Sequence, residues 1–81
     1  MERVSVKQGH NGELIALGRA IRSHRSRLEL SQEALADIAG LDRSHMGRIE
    51  RGQRNLSLLN LQRIASALEI RLSELLASAG L

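Results

Sequence analysis

Residues 31–52 read SQEALADIAGLDRSHMGRIERG, and the spacing inside this stretch decides the fold. Apolar residues recur at helical intervals on both sides of Gly40, and a short oxygen-bearing side chain, Ser31 or Asp42, precedes each run. Such side chains accept a hydrogen bond from the free N–H groups of a helix's first turn, so both read as N-caps. The stretch therefore predicts one helix over Gln32–Ala39 and a second from after Asp42 to near Arg51, with Gly52 in the C′ position. Two helices crossing steeply through a short turn need a small residue at closest approach and a turn residue that tolerates left-handed angles. Counting from Gln32, the fifth residue is Ala36 and the ninth is Gly40. The fourth, eighth, tenth, fifteenth and eighteenth must pack inward, and they are Leu35, Ala39, Leu41, Met46 and Ile49.

Working outward, the same periodicity predicts a first helix from about Gly12 to Arg27, with Asn11 as candidate N-cap and Leu14, Leu17, Ala20 and Ile21 inward. A fourth starts after Ser57 and holds Leu58, Leu61, Ile64, Ala65 and Leu68 as its apolar positions. A fifth covers about Leu72 to Ala79, carries Leu72, Leu75 and Leu76, and stops at Gly80. There is no proline, and no segment alternates apolar and polar residues over strand length. The expectation is an all-α, five-helix domain over residues 11–81, built on a helix-turn-helix, with residues 1–10 as a flexible arm.

Composition bounds the function. The 81 residues include no cysteine, which excludes a disulfide scaffold, a Cys-type zinc finger and a thiol nucleophile. No run approaches the roughly 18 to 20 apolar residues that span a bilayer, and the first residues lack a signal peptide's apolar segment, so a cytoplasmic protein away from membranes is expected. A chain this short gains from self-association, and Leu72, Leu76 and Leu81 are the expected dimer contact, with Leu75 in the core. Twelve basic residues face nine acidic ones, and eleven of the twelve are arginine. Between Arg43 and Arg54 there are four arginines and one glutamate, a local excess of the kind that meets a polyanion.

If Met46, Ile49 and the stem of Glu50 face the core, the helical period puts Arg43, Ser44, Gly47, Arg48 and Arg51 on the other side. Arg43, in the opening turn, suits guanine O6 and N7 with both fork donors, and Ser44 suits a base edge or a phosphate. Arg48 reaches a second base or a flanking phosphate. Gly47 costs roughly 1 kcal/mol in a helix interior relative to Ala, so it marks close approach to the bases or simple tolerance. His45 either touches a base or phosphate or flanks the core.

The run LSQEALADIAGLDRSHMGRIERGQRNLSLLNLQRIASALEI resembles the lambda-repressor-like, or Xre-type, helix-turn-helix family, and the likeness covers about residues 14 to 76. Within it, LDRSHMGRIERGQRNLSL is similar to the controller proteins of restriction–modification systems, stand-alone dimeric domains that regulate their own gene and the endonuclease gene. The resemblance implies a phosphate or outer-base contact from Gln32, and backbone grips by Arg54, Asn55, Ser57 and Asn60, while Arg51, placed outward by the helical period, is the further phosphate candidate. For Ser57 an N-cap role is the simpler reading. It also implies a structural ion pair between Glu50 and Arg25. The implied partner is a pseudo-palindromic DNA duplex, read by two copies with recognition helices about 34 Å apart, without cofactor, metal or small-molecule ligand.

Other function classes fit these residues less well. His10, His24 and His45 lack the spacing of a metal helix and an acid partner, so an enzyme is not expected. Single-strand binding usually needs aromatic platforms, and the chain has no Phe, Tyr or Trp. A regulator of a phage or mobile element, an antitoxin, or a protein-interaction module using the leucines of the last helix are the alternatives. Few residues flank the helices, which leaves little room for a toxin-wrapping or ligand-sensing segment.

Overall fold

The computed structural model describes residues 12–81, so the arm expected over 1–10 and the candidate cap Asn11 lie outside the described residues. The helices are α1 (Gly12–Arg27), α2 (Gln32–Ala39), α3 (Arg43–Glu50), α4 (Leu58–Ala67) and α5 (Leu72–Ser78), with no strand among the described residues. Three starts are capped by side chains. Ser31 Oγ accepts from the Ala34 N–H at 3.0 Å, Asp42 Oδ1 from that of Ser44 at 2.9 Å, and Ser57 Oγ from that of Asn60 at 3.0 Å. Each satisfies a donor the helix cannot use internally.

α2 packs on α3 and α4, α1 packs on α3 and α5, and α4 meets α5. Ile21, Leu35, Met46, Ile64 and Leu75 are fully buried where these elements converge. Burying an aliphatic side chain of this size stabilises a fold by about 1.5–3 kcal/mol, so these five dominate the core. Ala36 and Ala39 are buried beside them, and Leu41 packs against the cluster half-exposed.

The turn between α2 and α3 depends on Gly40, which takes φ +74° while the Leu41 N–H closes back on the Ala36 carbonyl at 2.8 Å. Gly18, in the middle of α1, was not singled out by sequence spacing. A Cβ there would lie 2.5 Å from the Glu50 carbonyl oxygen and 2.6 Å from that of Ile49, so α1 and the last turn of α3 are in backbone contact. α1 and α4 end without glycine: Glu29 and Glu69 adopt the left-handed conformation instead, at φ 58° and 64°.

His24 is buried on α1, its Nε2 2.9 Å from Ser78 Oγ. The Ser78 hydroxyl donates to the Glu74 carbonyl, so Nε2 is the donor of the first bond, and it ties α1 to α5.

The expectation for Leu58 is corrected. Leu58, assigned to the apolar face of the fourth helix, is 71% exposed, and Leu59 beside it is 61% exposed. The stripe of α4 that packs inward is Leu61, Ile64, Ala65 and Leu68, and Leu58 falls on its flank with Gln62.

Candidate nucleic-acid interface

α3 divides cleanly. Met46, Ile49 and Glu50 are buried, while Arg43, Ser44, Arg48 and Arg51 are exposed. Gln32, Asp42, Arg43, Ser44, Gly47, Arg48 and Arg51 line one shallow depression, so five of the residues expected to read bases share a single surface with Arg51. Gly47 is its floor and is buried, not open as its place on the outward side implied. A Cβ on it would sit 3.3 Å from Arg51 Nη1 and 3.6 Å from Gln32 Oε1, because those two side chains lie over it.

A buried network holds the depression in place. Arg25 Nε donates to Glu50 Oε2 at 2.6 Å and Nη2 to Oε1 at 2.9 Å, while Nη1 donates to the Leu30 carbonyl at 2.8 Å. Gln32 Nε2 donates to the same Glu50 Oε1 at 2.9 Å. The carboxylate thus joins α1, the start of α2 and the end of α3. The Glu50 hydrogen bond raises the Arg25 pKa further, burial opposes it, and the Glu50 charge adds to the rise.

At the opposite end of α3, Asp42 Oδ1 accepts from both the backbone N–H and the hydroxyl of Ser44. These two bonds, the hydroxyl's first, hold the Asp42 carboxyl below its usual pKa, and the charges of His45 and Arg54 act weakly in the same direction. Arg43 Nη1 lies 3.4 Å from Glu33 Oε1, a contact open to solvent on both sides. Arg51 Nε donates to Gln53 Oε1 at 3.1 Å.

The remaining expected contacts stand apart from the depression. His45 is half-buried, as are Arg54 and Asn60, whereas Asn55 and Ser57 are exposed. Asn55 Oδ1 accepts from the Leu56 N–H and Ser57 Oγ serves as the α4 cap, so both oxygens are engaged locally. Leu72 and Leu76 are half-buried against the core and Leu81 is 57% exposed. Sequence reasoning missed Glu33 and Gln53. No local spacing announces Glu33, whose link to Arg43 runs across the turn; Gln53 sits two residues from Arg51, a separation at which helical side chains do not normally face each other.

Among the described residues no cluster of His, Cys, Asp or Glu could hold a metal ion, and no helix is long and apolar enough to cross a membrane. The surface offers fixed donors and acceptors around a cationic helix, which suits a polyanion whose edges carry hydrogen-bonding groups.

Comparison with known proteins identifies the family. A helix-turn-helix family matches residues 21–75. The chain is 43% identical over 65 residues to the control protein C.SmaI of Serratia marcescens, spanning 80% of this chain and 77% of that protein. It is 39% identical over 67 residues to the control protein C.BamHI of Bacillus amyloliquefaciens, spanning 82% and 83% respectively. The crystal structure of the restriction–modification controller protein C.AhdI from Aeromonas hydrophila matches with a TM-score of 0.76 at 49% identity, covering 78% of this chain and 96% of that one. The α2–turn–α3 unit thus has its counterpart in named regulators, and the chain belongs to the helix-turn-helix family of DNA-binding transcription regulators, where it resembles the controller proteins of restriction–modification systems.

Proposed function

We propose that the chain is a cytoplasmic, homodimeric controller protein of a restriction–modification system, regulating its own gene and the endonuclease gene through a pseudo-palindromic duplex site. The observation that carries this is the depression of α3, where Gln32, Arg43, Ser44 and Arg48 share one exposed surface. In this reading α3 enters the major groove with Arg43 and Ser44 leading, since the N-terminal residues of a recognition helix meet the base edges. Arg43 takes guanine O6 and N7, Arg48 a second base or the flanking phosphate, and Gln32 an outer base. Arg51, Arg54, Asn55, Ser57 and Asn60 hold the backbone and set the register. For Asn55 and Ser57, whose oxygens are engaged, the contact comes from the Asn55 amide N–H groups and the Ser57 hydroxyl hydrogen.

The second copy docks through α4 and α5. Leu58, Leu59, Gln62 and Leu72 line an apolar hollow there, so the proposed contact runs from Leu72, Leu76 and Leu81 onto the exposed start of α4. The same hollow favours the rival reading of a protein-interaction module, in which it would receive a different partner.

Selection of bound sequences from a random duplex library at about physiological salt, followed by mobility shift on the enriched site, tests the proposal. The expected result is an inverted repeat with half-sites about one helical turn, roughly 34 Å, apart. Retention of random duplex without enrichment would reduce the protein to a nonspecific binder. No retention at all would leave the interaction module.

A further inference from the structure

Ser44 is the interface residue whose chemistry the fold constrains most. Its hydroxyl lies 2.8 Å from Asp42 Oδ1, the oxygen that also accepts the Ser44 N–H at 2.9 Å. An ionised carboxylate only accepts, and these bonds hold the Asp42 carboxyl in its ionised form to lower pH than usual. The hydrogen in the 2.8 Å contact is therefore the serine's. A free serine hydroxyl donates or accepts as its surroundings require, whereas this one keeps only lone pairs for an outside partner.

We propose that Asp42 fixes Ser44 as a hydrogen-bond acceptor toward DNA, so that Ser44 reads an exocyclic amine, N4 of cytosine or N6 of adenine, and not a base acceptor or a phosphate. The proposal rests on α3 being the groove-reading helix. Phosphate oxygens accept only, so the Ser44 hydroxyl would have to leave the carboxylate to reach one. That exchange breaks a charge-assisted bond and brings the Asp42 carboxylate beside a like charge. In the major groove the amines of cytosine and adenine are the only base donors. Arg43, the neighbouring residue, carries donors only, so the first turn of α3 presents a donor followed by an acceptor. Every Watson–Crick pair exposes both kinds of group, and two adjacent side chains of opposite polarity tell which strand carries which.

The test uses the full chain on the site recovered by selection. The pair read by Ser44 is the one at which Ser44→Ala abolishes discrimination. At that pair, the adenine is replaced by purine, or the cytosine by pyrimidin-2-one, to remove the amine; separate duplexes carry a 7-deaza purine to remove the acceptor. Affinities come from fluorescence anisotropy. Amine removal is expected to weaken the wild-type chain about three- to tenfold more than it weakens Ser44→Ala, as for one lost hydrogen bond, and the 7-deaza duplex should bind both chains alike. Asp42→Ala removes the acceptor and leaves the Ser44 hydroxyl free to donate as well as accept, at the cost of a helix cap, so the amine penalty should fall below about twofold. Both positions are exposed, and thermal melting confirms that each variant is folded. A penalty that follows the 7-deaza duplex, an amine penalty unchanged in Asp42→Ala, or a Ser44→Ala loss equal on all duplexes would overturn the proposal. If the wild-type chain enriches no site, the DNA-reading assignment of α3 fails first and the proposal falls with it.

Discussion

Arg25 and Glu50 meet at 2.6 Å with side chains 14% and 2% exposed, whereas Arg43 and Glu33 meet at 3.4 Å with side chains 70% and 61% exposed. The residue types are the same, and the two pairs flank the same α2–α3 unit. Burial makes them different devices. Glu50 has lost its water and Arg25 most of it, and Leu30 and Gln32 supply the remaining hydrogen bonds, so removing one partner strands the other. Around Glu33 water screens the attraction and competes for both groups, so the pair contributes little to stability and leaves Arg43 able to take the DNA contact proposed for it. The first pair positions the exposed face of α3, and the second belongs to the surface proposed to meet DNA.

The sharpest way to break this contrast is Glu50→Ala. It should destabilise the fold by about 3 kcal/mol or more, read from urea unfolding, because Arg25 is left buried with an uncompensated charge. A loss below about 1 kcal/mol would place the buried pair with the exposed one. Gly18→Ala probes the close approach that sets this geometry. The new methyl meets backbone oxygens that cannot swing aside, so a cost of about 1–3 kcal/mol is expected despite alanine's better helix propensity. A neutral or stabilising result would mean that α1 and α3 have room to separate.

The exposed side is probed on DNA. Arg43→Ala should cost about 1–3 kcal/mol on the selected site and much less on random duplex. Its unfolding free energy should stay within about 0.5 kcal/mol of the parent. Arg54→Ala is expected to weaken binding to all duplexes similarly and to flatten the salt dependence by about one unit of slope. If these two variants behave alike on specific and random DNA, the division of α3 into reading and gripping residues is wrong. The smallest effect belongs to Glu33→Gln, which removes the carboxylate beside Arg43 and so an acidic charge from the proposed DNA face. It should raise affinity for any duplex about twofold at low salt, with the gain fading as salt increases and the melting temperature unchanged.

Much of this was legible in residue order. Ser31, Asp42 and Ser57 announced three helix starts because a cap acts within a single turn, and Gly40 announced the turn because a left-handed residue between two apolar runs has few alternatives. Asp42 and Ser44 lie two residues apart, so their hydrogen bond was also within reach of sequence reasoning, which assigned Asp42 only as a cap and Ser44 only as a contact. Leu58 was misplaced because its helical interval matches Leu61 and Ala65, and intervals do not say how wide the buried stripe is.

Residue order alone was enough for five helices, the caps of α2, α3 and α4, the turn at Gly40 and the side chains α3 turns outward, since each depends on neighbours within a turn or two along the chain. Only the tertiary structure decided that Gly18 admits the backbone of α3, that Glu50 holds Gln32 as well as Arg25, that Gly47 lies beneath Arg51 and Gln32, and that Leu58 stays exposed. Those outcomes depend on which helices meet and how closely. Packing sets that through contacts between residues distant in sequence, and no local period records them.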